Sequence, residues 1–200
     1  MSNHLGGHWD NTHVDIGALL WLKNQFNIET MLDVGCGPGG IEEEAVSLKI
    51  DWTGIDGDPE IPERERLVRH DFTTGPYSPA PCDLVWCVEF VEHVEEQFIP
   101  NFMPSLVSGK ILVLTAAPPG TPGHHHVNCR KEAYWIQLLL NSGMEYSRGL
   151  TQQLKASSSM ERDFIRSRGM CFINPKRLQA GLNEDDRQPP ASFSAFFCQR

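Results

Sequence analysis

The sequence predicts an α/β fold: a doubly wound, mostly parallel sheet of seven strands, with an antiparallel edge strand and helices on both faces. Two observations lead to this prediction. Short apolar runs alternate with helical segments along most of the chain, which is typical of parallel strands joined by right-handed crossovers. The last apolar runs have no long helix between them, so one of them is expected to pair antiparallel at the sheet edge.

The predicted strands are seven apolar segments: TMLDVG (30–35), DWTGID (51–56), RLVRHDF (66–72), CDLVWCV (82–88), KILVLTA (110–116), MEYSRGL (144–150) and GMCFIN (169–174). The predicted helices follow the period of 3.6 residues or lie between two strands: 14–26, 37–49, 89–107 and 131–143. In the first helix one face is expected to hold Ile16, Leu19, Leu20 and Leu22. Thr12 and Asp15 have the spacing of a capping box, although the acid is Asp rather than Glu. Pro38 suits a helix opening, and Gly143 suits a helix end.

A length of 200 residues favours a single domain. We assign residues 1–175 to it and expect the polar, proline-bearing residues 176–200 to form a loosely held tail. Residues 1–15 are expected to form a lid, with Trp9, Asp10 or His13 in contact with the ligand. A disordered terminus is the alternative.

The composition excludes some functional classes. A net charge of −9 and a pI near 5.3 argue against a general polyanion-binding surface, which needs clustered Lys and Arg. No signal peptide is evident, and no apolar run approaches the roughly 20 residues of a spanning helix. The six cysteines lack zinc-ligand spacing and are expected to be reduced. These features predict a cytoplasmic protein.

A glycine cluster follows the first strand. Gly35, Gly37 and Gly40 satisfy the pattern GxGxxG, which is weak by itself and leaves a dinucleotide site open. Asp33 lies just before the glycines, where its carboxylate would repel a pyrophosphate and attract an ammonium or a sulfonium. Two plainer interpretations stay open: a carboxylate bonded to loop amides, and a tight turn that binds no ligand.

Acidic residues also end the next two predicted strands. Asp56 lies 17 residues after Gly39, close to the roughly 20-residue offset of an acid that binds ribose hydroxyls. A turn-forming Asp-Gly is the alternative there. Asp71 can accept a hydrogen bond from an adenine amino group while Phe72 flanks the ring. The glycine cluster follows one predicted strand, and an acidic residue follows each of the next two. This order is more specific than any one of the three signals.

The series LDVGCGPGG, GIDGDP, HDF, CDLVWCVEFVEHV and KILVLTAAP, over about residues 30 to 120, resembles the class I S-adenosylmethionine (SAM)-dependent methyltransferases. It looks most like small members with type 11 or type 23 methyltransferase domains. The resemblance implies a Rossmann-like fold, an enzyme and SAM as cofactor. It places Asp33 and the glycine loop at the methionine portion, Asp56 at the ribose, Asp71 and Phe72 at the adenine, and Glu89 beside the sulfonium. The full set of implied cofactor residues is Asp33, Gly35, Cys36, Gly37, Gly39, Asp56, Gly57, Asp71, Phe72 and Glu89.

Histidines mark the expected acceptor side. His93, four residues after Glu89, can act as a base if the acceptor is a hydroxyl, or can be structural. The residues expected to contact the substrate are His13, His124, His126 and Tyr134. No metal is predicted, because three adjacent histidines in an extended loop cannot all point inward.

The acceptor is only broadly constrained. No NPPY-like stretch follows the fourth strand, where the sequence is WCVEFVEH. With the acidic charge, this disfavours nucleic acid and favours a small-molecule or modest-sized acceptor, with O- or N-methylation and the oligomeric state left open. The alternatives are an NAD-binding oxidoreductase and a non-catalytic SAM-binding module.

Overall fold

The computed structural model describes residues 11–180. Its strands are β1 (Thr30–Val34), β2 (Asp51–Asp56), β3 (Leu67–Arg69), β4 (Cys82–Cys87), β5 (Gly109–Leu114), β6 (Glu145–Tyr146) and β7 (Met170–Ile173). They form one seven-stranded sheet in the order β3-β2-β1-β4-β5-β7-β6. Strands β1 to β5 pair parallel with one another, whereas β7 pairs antiparallel with both β5 and β6. The predicted fold class is confirmed, with the antiparallel strand second from the edge.

The helices are α1 (Ile16–Phe26), α2 (Glu42–Ser47), α3 (Ile99–Leu106), α4 (Glu132–Asn141), α5 (Arg148–Ser157), α6 (Phe164–Arg168) and α7 (Pro175–Ala180). Two 3₁₀ turns, Val91–His93 and Glu96–Phe98, precede α3. The sheet separates two hydrophobic cores. One core packs α1, α2, α5 and α6 on one face, and the other packs α3 and α4 on the opposite face. The strands alternate between the cores, as Met31 and Leu32 do, so both faces of the sheet are covered as predicted.

Helix α1 differs from its prediction in two respects. Its N-cap is Asp15, whose carboxylate accepts a hydrogen bond from the main-chain N–H of Ala18. Thr12, the predicted capping residue, instead accepts from the N–H of Gly40. Leu19 and Leu22 are buried, but Ile16 and Leu20 are 45% and 43% exposed. The helix therefore contacts the core along a narrow stripe, and the residues at its border face solvent.

Asp15 also joins α1 to a distant part of the chain. Its side chain is fully buried. One oxygen accepts from the main-chain N–H of Ser159 at 2.9 Å, and the other accepts from the hydroxyl of Ser158. The carboxylate thus links the start of α1 to the segment after α5, together with a bond from the N–H of Gly17 to the hydroxyl of Ser159 at 2.8 Å.

Replacing Asp15 with alanine is expected to lower the free energy of unfolding by about 2 kcal/mol or more, because it removes a helix cap and leaves buried donors without a partner. Chemical denaturation measures the change. Asp51→Ala is a matched control, since the side chain of Asp51 is 71% exposed and pairs with Arg66 at the surface. That control should change stability by less than about 1 kcal/mol. Equal effects of the two substitutions would contradict the bridging role of Asp15.

Other local predictions have mixed outcomes. Pro38 lies in a turn rather than at a helix opening, because α2 begins only at Glu42. Gly143, with φ of +88°, follows the C-cap Ser142 of α4, as expected for a helix end. Helix α7 spans the predicted boundary at residue 175, and residues 181–200 lie outside the described part. Within residues 11–180, no helix has the length and apolar character needed to cross a membrane.

Candidate functional site

A cavity of about 880 Å³ opens at the carboxyl ends of β1, β2 and β4. This edge is where the strand order reverses, because β1 is followed by β2 on one side and flanked by β4 on the other. The loops after these strands form the floor of the cavity. Residues 11–13 and helix α6 contribute Thr12, His13, Phe164 and Arg168 to the opposite wall. We call this second wall the roof.

The glycine loop forms the first part of the floor. Gly35 has φ of +76°, and its N–H donates to the carbonyl of Ile55 at 2.8 Å. A Cβ at this position would lie 2.4 Å from the ring of Phe90. Only glycine therefore fits between β1 and the loop after β4, and this close approach opens the cavity beside the strand end.

Asp33 lies in the cavity wall at the end of β1, with 4% of its surface exposed. One of its oxygens accepts a hydrogen bond from the indole N–H of Trp52 at 3.3 Å. Burial raises the pKa of Asp33 to about 7; the bond from Trp52 opposes this rise, and the charge of Asp56 adds to it. A cationic ligand would stabilise the ionised carboxylate and lower this pKa.

The carboxylate of Asp56, at the end of β2, is held by main-chain N–H groups of the loops that form the floor. One oxygen accepts from the N–H of Gly37 at 2.7 Å, and the other accepts from the N–H of Asp58 at 2.9 Å. The turn-forming interpretation of Asp56 is therefore correct, yet it does not exclude ligand binding, because each carboxylate oxygen has two lone pairs. The two bonds fix the orientation of the carboxylate at the cavity wall.

The third acidic position has a similar arrangement. Asp71 lines the cavity, and its side chain accepts from the N–H of Thr73 at 2.8 Å. The buried ring of Phe72 lies against His70, with 5.0 Å between ring centroids, and His70 also lines the cavity. Gly57 and Cys36 lie on the same wall. The floor thus brings together three carboxylates from three successive strand ends.

Glu89 begins the other half of the cavity. It adopts φ of +56°, and its carboxylate accepts from the hydroxyl of Thr115 at 2.9 Å. Its second oxygen lies 3.4 Å from the guanidinium of Arg168 in the roof. Burial raises the pKa of Glu89 above its ordinary value, although Arg168 and Thr115 favour the charged form. Glu89 therefore connects the end of β4 to α6.

His93 lies one turn further on, mostly buried in the cavity wall. Its ring lies near the main chain of His124, and its Nδ1 is buried without a hydrogen-bond partner within the described residues. Burial lowers the pKa of His93 to about 4, and the nearby His126 lowers it further. The imidazole is neutral at physiological pH and can accept a proton or a hydrogen bond.

Glu92 fixes the loop that carries the histidines. Its side chain is fully buried and accepts from the N–H of Ala117 at 3.0 Å. Its main-chain carbonyl accepts from the N–H groups of Val127 and Asn128. Burial raises the pKa of Glu92 to about 8, and the charge of Glu89 adds to the rise. The loop after β5 is thereby held over the end of β4, which places His124 and His126 on the cavity wall.

Two predicted site residues lie away from the cavity. Tyr134 donates from its hydroxyl to Glu96 at 2.7 Å, and its ring meets that of Trp135 edge to face. The first turn of α4 therefore places Tyr134 beside the 3₁₀ turn that contains Glu96. Gly39 supports the floor from outside: it has φ of +79°, and a Cβ there would lie 2.5 Å from Arg64. Neither residue lines the cavity, and the substrate assignment of Tyr134 and the cofactor contact of Gly39 stay predictions. The other predicted residues, including His13, line the cavity.

Sequence reasoning did not identify several residues on the cavity wall: His70, Phe90, Arg162, Phe164 and Arg168. Phe90 and His70 lie beside residues that were identified, in segments already assigned to the floor. Arg162, Phe164 and Arg168 come from a segment with weak periodicity, about 130 residues after the glycine motif. No local pattern shows that this segment returns to the cavity.

The described part of the predicted lid lies on the cavity. The hydroxyl oxygen of Thr12 accepts from the N–H of Gly40 at 3.1 Å, and the ring of His13 packs edge-on against Phe164 at 5.6 Å. Residues 11–13 therefore bridge the glycine loop and helix α6. Trp9 and Asp10 lie outside the described residues. Among residues 11–180, no group of three or more His, Cys, Asp or Glu side chains is arranged to hold a metal ion.

Comparisons with known proteins agree with this geometry. Residues 32–113 match a family model described as a methyltransferase domain. A curated relative, the mitochondrial ubiquinone biosynthesis O-methyltransferase of Schizosaccharomyces pombe, is 28% identical over 108 residues, which cover 46% of this chain and 39% of the relative. The resemblance predicted from the glycine motif and the strand-end acids is thus confirmed over the central part of the chain.

Solved structures show the same fold. Magnesium protoporphyrin IX methyltransferase from Synechocystis PCC 6803, with bound S-adenosylhomocysteine (SAH), has a TM-score of 0.55 at 16% identity, over 80% of each chain. A SAM-dependent methyltransferase from Archaeoglobus fulgidus has a TM-score of 0.51 at 17% identity, over 79% of this chain and 91% of that one. At these identities the similarity establishes the architecture of the sheet.

Proposed function

Residues 32–113 match a methyltransferase domain, and on that premise we propose that this chain transfers the methyl group of SAM to a hydroxyl of a small acceptor. The observation that supports the proposal most directly is the pairing of an acidic floor with a neutral histidine on one cavity. The curated relative that matches the chain is named as an O-methyltransferase, which is consistent with a hydroxyl acceptor.

The floor fits a cationic cofactor better than a dinucleotide. Asp33 is a buried carboxylate whose pKa of about 7 allows it to ionise when a cation approaches. In the proposed complex Asp33 faces the ammonium and sulfonium end, Asp56 accepts from the ribose hydroxyls, and Asp71 accepts from the adenine amino group. A pyrophosphate in the same place would lie among three carboxylates. The oxidoreductase alternative therefore has no support from the cavity.

When bound, SAM supplies an activated methyl group and its own leaving group, so the protein contributes alignment and a dry pocket. Methylation of an acceptor hydroxyl would release SAH and the hydroxyl proton, and we assign the imidazole of His93, on the cavity wall, to take that proton. The ring is neutral at physiological pH, so one of its nitrogens has a lone pair for this role. Glu89 and Thr115 hold the adjacent loop in place.

The cofactor assignment is tested at Asp56. Asp56→Ala is expected to weaken SAH binding by about 1–3 kcal/mol, because it removes an acceptor for the ribose and also releases the N–H of Gly37. Isothermal titration calorimetry measures the affinity. Asp51→Ala, at the far end of the same strand, is the matched control and should bind like the unmodified protein. Unchanged affinity in Asp56→Ala would contradict the ribose assignment.

A non-catalytic module that keeps the SAM pocket is separated from an enzyme by turnover of a panel of small hydroxyl-bearing acceptors. We also propose a reducing, cytoplasmic setting, which is supported by the free cysteines of the described residues: Cys36, Cys82, Cys87, Cys129 and Cys171. The net charge of −9 supports a small acceptor over a nucleic acid.

A further inference from the structure

The roof carries a guanidinium that the proposed chemistry does not use. Arg168, the last residue of α6, lines the cavity and is about four-fifths buried. One terminal nitrogen, Nη2, lies 3.4 Å from Glu89, which is longer than a normal hydrogen bond. The other, Nη1, is buried and has no hydrogen-bond partner within the described residues. A buried guanidinium with spare donors is costly unless a partner satisfies them.

The surroundings of Arg168 keep it in place without neutralising it fully. The guanidinium carbon lies 5.2 Å from the ring centroid of Phe164, which packs in turn against His13. Glu89 faces Arg168 with one oxygen, while its other oxygen accepts from the hydroxyl of Thr115. Arg162 adds a second guanidinium to the residues that line the cavity. The roof therefore contributes a held, planar guanidinium to the cavity wall.

We propose that Arg168, assisted by Arg162, binds an oxyanion of the acceptor, a carboxylate or a phosphate monoester. This inference rests on the proposed methyl transfer and identifies its substrate class as an anionic hydroxy compound. A guanidinium presents parallel N–H donors that match such groups, and it remains charged at every relevant pH. The cavity then has opposite preferences at its two ends, with carboxylates for the cationic donor and a guanidinium for the anionic acceptor.

Calorimetric titration of the SAH-saturated protein tests the proposal with three ring compounds of similar size: benzoate, phenyl phosphate and neutral benzamide. At least one anion is expected to bind at least about tenfold more tightly than benzamide, since the charged hydrogen bonds exist only for the anion. The tighter of the two anions distinguishes a carboxylate from a phosphate. Equal binding of all three compounds, or no binding of either anion, would overturn the proposal.

A variant links the preference to the residue. Arg168→Gln should weaken binding of the preferred anion at least about tenfold, whereas Arg66→Gln, which removes the same charge from a surface pair with Asp51, should leave it unchanged. Unchanged anion affinity in Arg168→Gln would also overturn the proposal. If that variant does not fold, Arg162→Gln and the three-compound comparison on the unmodified protein decide the question. Failure of the unmodified protein to bind SAH would instead refute the proposed function.

Discussion

His93→Gln is expected to reduce turnover by about 100-fold or more while leaving SAH affinity nearly unchanged. Glutamine is polar and of similar size, so the loop should keep its place, but the basic ring nitrogen is lost. Without that acceptor, the hydroxyl of the substrate must lose its proton to water as the methyl group moves. Single-turnover methylation at saturating SAM measures the effect on the chemical step.

Two further measurements distinguish a base from a structural histidine. Acceptors whose hydroxyl has a lower pKa should recover much of the lost rate in His93→Gln, because they need less help to lose the proton. In the unmodified protein, protonation of His93 should not lower the rate between pH 8 and pH 5, since the pKa of His93 is about 4 and the imidazole stays neutral in that window. The rate should fall only as the pH approaches 4 and the ring is protonated. Near-normal turnover in the variant would leave His93 with a structural role.

Asp33→Asn is expected to weaken binding of both SAM and SAH by about 100-fold or more, because the ammonium of either ligand would lose its partner in a buried site. Asparagine keeps an acceptor for the indole of Trp52 and has nearly the same volume, so the loss reports charge rather than shape. Calorimetry measures both affinities. Asp51→Asn removes the same charge at the exposed end of β2 and should leave both affinities unchanged.

Proton release provides an independent reading of the same interaction. The raised pKa of about 7 means that Asp33 is about half protonated at pH 7 in the free protein. A bound ammonium lowers that pKa, so binding should release about half a proton at pH 7 and almost none at pH 9. The binding heats measured in phosphate and in Tris differ by the number of protons released multiplied by the difference between the ionisation enthalpies of the two buffers. Identical heats in the two buffers at pH 7, or tight binding by Asp33→Asn, would contradict the role of Asp33.

The sequence predicted the floor of the site better than its roof, for a physical reason. Asp33, Asp56 and Asp71 each lie within a few residues of a strand end, and parallel strands end at a common edge. Strand identity therefore sufficed to bring them together. Arg168 and Phe164 reach the cavity only through tertiary packing of α6, which periodicity does not encode.

Two other differences between the expected and the observed side-chain positions have the same origin. Tyr134 opens a helix after the histidine loop, but which side of that helix meets the cavity depends on the rotation of α4, and that rotation is set by burial of Trp135 and Leu139. The exposure of Ile16 and Leu20 likewise depends on how narrowly α1 contacts its core. An apolar pattern predicts that a helix packs, and the surrounding elements decide the angle at which it does so.

The antiparallel direction of β7 determines which segment of the chain reaches the cavity beside β5. Met170, where that strand starts, pairs with Leu114, where β5 finishes, so the stretch leading into β7 arrives at the ligand edge instead of departing from it. The floor of the cavity is therefore built from the first half of the chain, whereas Arg168 reaches it from the segment just before β7. If the proposed roles hold, substitutions near position 168 should change acceptor preference more than affinity for SAM.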